Sequence, residues 1–347
     1  MRILITGNLG YVGPGVVRQL RTAWPDARLL GYDTGYFAHC LTGAAAVPEA
    51  RLDVQYFGDL RTFPADLLEG VDVVVHLAAI SNDPMGKQFE EVTLEINHRA
   101  GAALAAAARR ARVKAFVFAS SCSVYGAAAD GARTEGSSLD PLTAYARSKV
   151  LLEQDLDSLA GADFRVTCLR FATACGWSER LRLDLVLNDF VAGALSTGKI
   201  TVLSDGSPWR PLIHVADMAR AIEWAAKPGR PGADFLVVNA GSDAWNVQVR
   251  DLAHAVAGAL PGTTVSFNSA APPDRRSYRV AFSRFHALAP DHQPRVGLAD
   301  AVEGLRAGLQ GMGFSDPEFR ESALVRLHTL RAHREAGRLN ERLYWTA

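Results

Sequence analysis

Four side chains in the middle of the chain have the types and spacing needed for proton transfer at a hydroxyl group. Ser120 and Ser121 end a short apolar run, and Tyr145 and Lys149 stand four residues apart in a helical pattern. Residues four apart lie on one face of a helix. A lysine ammonium favours a neighbouring phenolate, so we expect a lowered pKa for Tyr145. Tyr145 is therefore a candidate general acid or base, and Ser121 a second hydrogen-bonding group for the same substrate hydroxyl.

A glycine-rich turn near the start of the chain is suited to a dinucleotide. Residues 2–6 predict a strand, the turn follows at residues 7–13, and residues 14–20 have helical periodicity. Glycines let the backbone approach a diphosphate, and the next helix offers N–H groups and the positive end of its dipole. The spacing is G-x-x-G-x-x-G rather than G-x-G-x-x-G, but the strand–turn–helix context fits. The cofactor candidates here are Gly7, Asn8, Leu9, Gly10, Tyr11, Val12 and Gly13.

An aspartate at the end of the second predicted strand indicates which dinucleotide binds. Asp33 lies twenty residues after Gly13, and no arginine or lysine occurs between residues 29 and 50. A carboxylate there accepts hydrogen bonds from the ribose hydroxyls and repels a 2′-phosphate. The sequence therefore favours NAD over NADP.

Strand and helix patterns alternate through the first half of the chain. Further strands are predicted at residues 52–57, 71–77, 115–119 and 165–170, with helices at 87–112 and 144–160. Such alternation predicts an α/β fold with a doubly wound Rossmann-type parallel sheet, whose ligands bind beyond the carboxyl ends of the strands. The alternation becomes irregular after residue 170, which predicts a smaller α+β substrate-binding lobe.

The predicted organisation has three parts. Residues 1–170 form an NAD-binding Rossmann domain that carries the catalytic residues, and residues 171–314 form mainly the substrate-binding lobe, including a strand at 235–239. Residues 315–347 form a C-terminal helical extension, whose Ser-Asp-Pro-Glu start is a helix-start signature. We interpret the extension as a packing or subunit-contact helix without chemistry.

The overall composition excludes several classes of protein. The 347 residues carry no net charge, so nucleic acid is a poor candidate partner. No apolar run reaches transmembrane length, and no signal peptide precedes the first strand. The four cysteines have no metal-ligand spacing and are expected to be reduced thiols. We expect a cytoplasmic protein that binds neither a metal ion nor a membrane.

Taken together, the motifs resemble the extended short-chain dehydrogenase/reductase family over roughly residues 1–300. The resemblance is strongest to its nucleotide-sugar epimerase/dehydratase branch, typified by UDP-glucose 4-epimerase. It rests on T-G-x-x-G-x-x-G at 6–13, Asp59-Leu60, H-L-A-A at 76–79, Asn97, S-S-C-S-V-Y-G at 120–126, Tyr145-x-x-x-Lys149, R-F-A-T-A-C-G at 170–176 and R-P-L-I-H-V-A-D at 210–217.

The resemblance implies a role for each matching residue. The glycines would hold the pyrophosphate of NAD, Asp33 the ribose, and Asp59 and Leu60 the adenine. Lys149 would also hold the nicotinamide ribose. The other residues expected to line the cofactor are Leu77, Ala78, Ala79, Asn97, Ala119 and Ser120. Ser121, Tyr145 and Lys149 would be catalytic: Tyr145 deprotonates a sugar hydroxyl while hydride passes to NAD, and in an epimerase the rotated keto sugar takes the hydride back on its other face.

The implied substrate is a nucleotide-diphosphate sugar, bound by a protein expected to be a homodimer. Arg210, Arg275 and Arg276 have the fork geometry for bidentate contacts to its diphosphate. The full set of substrate candidates is Ser81, Asn82, Ser121, Cys122, Ser123, Tyr145, Thr173, Asn188, Arg210, Arg275 and Arg276.

Departures from the family pattern favour epimerisation among the possible reactions. Dehydratases of the family carry Asp-Glu directly after the catalytic threonine, whereas Cys122 and Ser123 stand here. Epimerases usually have asparagine where Thr173 stands, which affects substrate placement. Cys122 is one position before the cysteine that some sugar epimerases use, and we interpret it as a small buried thiol. The alternatives are an NAD(P)-dependent dehydrogenase or ketoreductase, a dehydratase, and a non-catalytic dinucleotide sensor.

Overall fold

The computed structural model describes residues 1–128, 131–270 and 277–346. The strands in chain order are β1 (Arg2–Thr6), β2 (Arg28–Asp33), β3 (Val54–Phe57), β4 (Val73–His76), β5 (Ala115–Ser121), β6 (Ala132–Arg133), β7 (Arg165–Phe171), β8 (Thr173–Cys175), β9 (Lys199–Val202), β10 (Trp209–His214), β11 (Phe235–Ala240), β12 (Asn246–Gln248), β13 (Thr264–Phe267) and β14 (Arg279–Val280). The α-helices are α1 (Gly13–Ala23), α2 (Asp83–Gln88), α3 (Glu90–Leu94), α4 (Gly101–Arg110), α5 (Ala144–Leu159), α6 (Val186–Thr197), α7 (Val215–Ala226), α8 (Val249–Ala259), α9 (Ser283–Leu288), α10 (Leu298–Gly311) and α11 (Arg326–Glu335).

A seven-stranded parallel sheet in the order β3-β2-β1-β4-β5-β7-β11 forms the centre of the molecule, which confirms the predicted fold class. Its strands are apolar on both faces because helices cover both. In β1, Ile3 and Ile5 pack with Val16 of α1, whereas Leu4 points the other way and packs with Leu152 of α5. The strand order reverses between β1 and β4, and ligands bind at such a switch point.

The strand at residues 235–240 was expected in the second lobe, and the structure corrects this assignment. β11 pairs with β7 from Phe235 opposite Val166 to Ala240 opposite Phe171, at the edge of the central sheet. An uncharged run such as FLVVNA suits a parallel strand that is covered on both faces. The chain therefore returns to the first domain after residue 170, and a boundary at that residue does not separate the sheet from the rest.

Three small sheets lie outside the central sheet in the described part of the chain. They are β8-β10-β12, the parallel pair β9-β13 and the parallel pair β6-β14. β8 leaves the end of β7 after a single residue, so this part of the chain stands directly above the carboxyl ends of the central strands.

The helix expected at residues 87–112 is interrupted. It begins earlier, at Asp83, because the Asn82 side chain caps it by accepting a hydrogen bond from the Met85 backbone N–H (2.9 Å), and because proline suits a first turn. The backbone leaves helical geometry at Phe89, and a π-helical turn at Glu95–Ala100 separates α3 from α4.

The helix start predicted at residues 315–318 is wrong, since the last helix begins at Arg326. Residues 312–325 are mostly irregular, with one 3₁₀ turn at Phe319–Glu321. The Phe319 side chain is buried, and Arg320 forms an ion pair with Asp189 of α6 (2.7 Å). These tertiary contacts fix the segment in a shape that its local helix signature does not specify.

Within the described ranges, none of the helices combines the length and apolar character needed to cross a bilayer.

Candidate active site

A crevice of about 880 Å³ opens at the carboxyl ends of the central strands. This volume is within the usual range of ligand pockets, 300–1,000 Å³. The predicted cofactor residues found on its wall are Gly7, Gly10, Tyr11, Val12, Asp33, Asp59, Leu60, Leu77, Ala78, Ala79, Ala119, Ser120, Tyr145 and Lys149. The predicted substrate residues found there are Ser81, Asn82, Ser121, Ser123, Tyr145, Thr173 and Arg210.

The glycine turn leaves no room for side chains at two of its positions. Gly7 has a φ of +76°, and a Cβ added there would lie 2.4 Å from the Ala78 backbone nitrogen. A Cβ added at Gly13 would lie 1.9 Å from the carbonyl oxygen of Asn8. Helix α1 begins at Gly13, so the turn sets its backbone N–H groups beneath the crevice. This cradle fits the diphosphate of a dinucleotide.

Replacing Gly13 with alanine should therefore remove bound dinucleotide. The new Cβ cannot stay 1.9 Å from the Asn8 oxygen, so the turn must shift away from its diphosphate-binding shape. We expect the nucleotide released from purified Gly13→Ala protein to fall to a small fraction of the wild-type amount. Gly15→Ala is the matched control because its Cβ would lie 3.6 Å from the nearest atom, an ordinary contact. Equal nucleotide content in both variants would contradict the assignment of the turn.

Asp33 lies partly buried at the end of β2, and each of its carboxylate oxygens already accepts one backbone hydrogen bond. Oδ2 accepts from the Leu9 N–H (3.0 Å), and Oδ1 accepts from the Gly35 N–H (2.8 Å). Burial raises the pKa of Asp33, and the two hydrogen bonds oppose this effect. Each oxygen retains a lone pair for a ribose hydroxyl.

Four predicted cofactor residues, Asn8, Leu9, Gly13 and Asn97, are not part of the crevice wall. The Asn8 amide donates to Gln55 Oε1 (2.6 Å), because its side chain points back between the strands. Asn97 accepts from the backbone N–H of Ile80 (2.8 Å) and donates to its carbonyl (3.0 Å). The Asn8 and Asn97 side chains therefore hold the wall from behind, which corrects the prediction that these two side chains line the crevice, whereas the roles of Leu9 and Gly13 through their backbone stay predictions.

Asp59 reaches the crevice, but its carboxylate is already paired with Arg61. Oδ1 accepts from Arg61 Nε (2.9 Å), and Oδ2 accepts from Arg61 Nη2 (2.6 Å). Its role towards adenine stays a prediction.

Ser121, Tyr145 and Lys149 meet in the middle of the crevice. The Ser121 side chain lies near enough to Tyr145 to oppose, as a hydrogen-bonding group, the rise of the Tyr145 pKa. Lys149 lies one helical turn further along α5, and its ammonium donates to the Ala119 carbonyl at 2.7 Å. The Thr143 hydroxyl caps α5 by accepting a hydrogen bond from the Ala146 N–H (3.1 Å). This cap fixes the first turn of the helix, which carries Tyr145.

Burial is the largest cause of the pKa shifts of Tyr145 and Lys149. It raises the pKa of Tyr145 to about 12, and it lowers the pKa of Lys149 to about 7. The expected lowering of the Tyr145 pKa is therefore wrong for this state. The reason is geometric: the Lys149 ammonium binds the Ala119 carbonyl and lies 5.4 Å from the Tyr145 ring centre.

The buried Lys149 should give the cofactor-free protein a pH-dependent stability. In the unfolded chain this lysine keeps its proton up to a pKa of about 10.5, whereas in the folded chain it releases it near pH 7. The unfolded state binds more protons between these values, so the free energy of unfolding should rise with pH from about 7 towards 10. Urea unfolding across this range should show a shallower rise for Lys149→Met. Equal slopes in the two proteins would contradict the lowered pKa.

A buried ion pair supports the catalytic residues from behind. Arg170 Nη2 of β7 lies 2.6 Å from Glu153 Oε2 of α5, and both side chains are 5% exposed. The Ser120 hydroxyl donates to the same Glu153 carboxylate. The pair thereby ties the end of β5 and the Tyr145 helix to β7.

Two predicted substrate residues do not reach the crevice. Cys122 is completely buried and its thiol points to the Arg170 carbonyl (3.1 Å), and burial raises its pKa. Asn188 accepts from the Gly176 N–H (2.9 Å) and donates to the Tyr11 hydroxyl (3.0 Å), so it braces the turn. The prediction that they bind substrate is wrong in this structure. Arg275 and Arg276 lie outside the described residues.

Ser123 has an unused polar group in the crevice. Its hydroxyl is buried without a hydrogen-bond partner among the described residues. A buried hydroxyl without a partner is costly, and a substrate hydroxyl would satisfy it.

Several crevice residues were missed by sequence reasoning. Arg182 is held by Asp184 (2.7 Å) and donates to Ser81 Oγ at 3.1 Å. Asp83 accepts from the Thr143 hydroxyl (2.7 Å). Arg320 and Arg326 reach the crevice from the C-terminal extension, which is therefore part of the site wall rather than packing alone. No local motif marks these residues, because the contacts join segments far apart in sequence.

The parallel sheet, the glycine turn, the aspartate after β2 and the Ser–Tyr–Lys group define an NAD-dependent enzyme of the extended short-chain dehydrogenase/reductase class. The chain belongs to the NAD dependent epimerase/dehydratase family, whose model matches residues 3–241.

Relatives and solved structures agree with this membership. An uncharacterised UDP-glucose epimerase YtcB of Bacillus subtilis is 30% identical over 70% of this chain and 77% of its own length. A dTDP-glucose 4,6-dehydratase of Streptomyces griseus is 29% identical over 87% of this chain and 90% of its own. The structure of MoeE5 in complex with UDP-glucuronic acid and NAD is similar with a TM-score of 0.75 at 26% identity, covering 89% of this chain and 99% of that one.

Proposed function

We propose that this protein is an NAD-dependent nucleotide-sugar epimerase that acts by transient oxidation of a sugar hydroxyl. The observation that carries the proposal is the arrangement after the catalytic serine. Cys122 points into the core and Ser123 presents only a hydroxyl, so neither position supplies the carboxylate acid and base of a dehydratase. The neighbouring Ser121 and Tyr145 side chains would provide the hydrogen-bonding group and the proton-transfer group that oxidation and reduction at one carbon need.

In the proposed mechanism, Ser121 and Tyr145 bind the reacting hydroxyl from one side. Tyr145, in its phenolate form, would take the proton of this hydroxyl and later return it, and Lys149 beside it would stabilise the phenolate when the lysine carries its own proton. NAD, when bound, supplies the hydride acceptor and afterwards the donor. Thr173 and Ser123 would contact the sugar. Ala78 and Ala79 have small side chains, which would let the cofactor lie close to the end of β4.

A 4,6-dehydratase is the second candidate, supported by the Streptomyces griseus relative. Asp83 supplies a carboxylate on the crevice wall that acts electrostatically on Tyr145. The two reactions differ in mass balance, since epimerisation leaves the mass of the sugar unchanged and dehydration removes one water. A dehydrogenase or ketoreductase would instead exchange its cofactor in each turnover.

The first experiment is to denature freshly purified protein and quantify the released nucleotide by chromatography. Near one NAD per chain supports a retained and recycled cofactor. The loaded protein is then incubated with UDP- and dTDP-sugars without added cofactor, and the products are separated and weighed by mass spectrometry. A product of unchanged mass supports the epimerase, whereas loss of water identifies the dehydratase. A requirement for added NAD or NADH would identify an exchanging oxidoreductase.

We also propose which part of the chain binds the substrate, where in the cell the protein is located and how it dimerises. Residues 171–314 would contribute most substrate contacts, with Arg210 at the diphosphate, and the four unpaired cysteines support a cytoplasmic location. A homodimer would form through α4 and α5, where Leu151 is 37% exposed. Light scattering of dilute protein tests the dimer, and a monomer mass would exclude it.

A further inference from the structure

The C-terminal extension brings an arginine without an acidic partner into the wall of the crevice. Arg326 is 1% exposed, and its Nη1 has no hydrogen-bond partner within the described part of the chain. Its Nη2 donates to the Arg180 carbonyl (2.7 Å), and its guanidinium lies 4.9 Å above the Phe37 ring. The family match ends at residue 241, so it does not include this residue.

Charges around Arg326 do not balance. Arg180 is paired with Glu49 (2.7 Å), and Arg182 is paired with Asp184 (2.7 Å). Arg326 is the third cation of this cluster and has no ion pair with a described carboxylate. Burial lowers the pKa of Arg326 to about 10, with Arg182 and Arg180 acting in the same direction and Cys40 and Asp184 opposing it, and the guanidinium still stays charged at neutral pH. A buried charge without a counter-ion is costly, so an anion at this position would be stabilised.

The position of the cluster indicates which anion. The Ser178 hydroxyl donates to the Tyr11 carbonyl in the glycine turn (2.6 Å), so the segment carrying Arg180 and Arg182 lies against that turn. The extension is attached to the same segment through the Leu183 N–H and the Leu324 carbonyl (3.0 Å). The cluster therefore flanks the cradle that suits a diphosphate.

We propose that Arg326, with Arg182 beside it, forms an anion subsite that binds a phosphate oxygen of a diphosphate in the crevice. Two molecules can supply this group: NAD, and the nucleotide sugar, the latter resting on the proposed function. Arginine suits the role because its planar fork matches phosphate oxygens and stays charged. The extension would then be part of the binding site, and removing Arg326 would weaken binding without harming the fold.

The test compares Arg326→Met with Arg331→Met by calorimetric titration of cofactor-free protein with NAD and, separately, with UDP. Arg331 is an exposed arginine of the same helix, bonded only to Gln88, and its variant should bind like wild type. We expect Arg326→Met to raise the dissociation constant for NAD by about 10- to 100-fold, as for a lost charge-assisted hydrogen bond. The unfolding temperature of the cofactor-free variant should stay the same or rise.

The two titrations show whether the phosphate bound at this subsite belongs to NAD or to the nucleotide sugar. Weaker NAD binding with unchanged UDP binding assigns the subsite to the cofactor, and the reverse assigns it to the substrate. Dissociation constants within about twofold of wild type for both ligands would overturn the proposal and make Arg326 a structural residue. Arg326→Gln, which keeps a donor for the Arg180 carbonyl, provides the same test should the methionine variant fail to fold. The NAD titration needs no turnover, so it remains decisive even where the epimerase proposal fails.

Discussion

Replacing Tyr145 with phenylalanine should lower kcat by about 10²- to 10⁴-fold, the usual contribution of a positioned general acid or base. The variant keeps the aromatic ring and loses the hydroxyl that would transfer the proton. The glycine turn and Asp33 are untouched, so the NAD content should stay near that of wild type. Steady-state kinetics on the active nucleotide sugar and chromatography of released nucleotide measure the two quantities.

Tyr56→Phe is the matched control because Tyr56 of β3 lies outside the crevice wall. Its kcat should be close to wild type. Turnover retained in Tyr145→Phe would disprove the assignment of Tyr145. A loss of activity together with a loss of NAD would instead point to a disturbed cofactor site, and it would leave no support for Tyr145 as the proton-transfer group.

The largest expected loss of stability comes from Glu153→Ala. It leaves the Arg170 guanidinium, 5% exposed and 2.6 Å from the lost carboxylate, as an unpaired buried charge. Breaking a buried pair from one side typically costs about 3–5 kcal/mol. Urea unfolding of the cofactor-free proteins should show a decrease of this size in the free energy of unfolding. The Ser120 hydroxyl loses its acceptor as well, which adds to the effect.

An exposed pair and a double variant provide the controls. Glu91→Ala breaks an exposed ion pair, since the Glu91 side chain is 66% exposed and that of its partner Arg99 58%. This change should lower the free energy of unfolding by less than about 1 kcal/mol. Glu153→Leu combined with Arg170→Met removes both buried charges and should be less destabilising than Glu153→Ala. A Glu153→Ala loss no larger than that of Glu91→Ala would show that the buried pair contributes little to the fold.

Local sequence patterns were sufficient to predict the segments whose backbone shape depends on residues close together in the chain. The turn at residues 7–13, the strand ending at Asp33 and the helical pair Tyr145 and Lys149 all stand where the sequence predicted. Each is a short segment whose backbone shape follows from glycine, from apolar runs or from helical spacing. The parallel sheet then places the strand ends together, because parallel strands share one carboxyl edge.

The sequence by itself determined the fold class and NAD as the cofactor, and it predicted most of the side chains that the structure brings together in the crevice. Tertiary structure decided which side chains reach the crevice: Cys122 and Asn188 turn into the core, whereas Arg182 and Arg326 line the crevice wall. It also decided the direction of the pKa shift at Tyr145, because burial raises this pKa whereas the sequence pattern predicted a lowered one. The same physical reason explains the side-chain directions and the pKa shift. Side-chain direction and desolvation depend on segments far apart in the chain, and no local spacing encodes them.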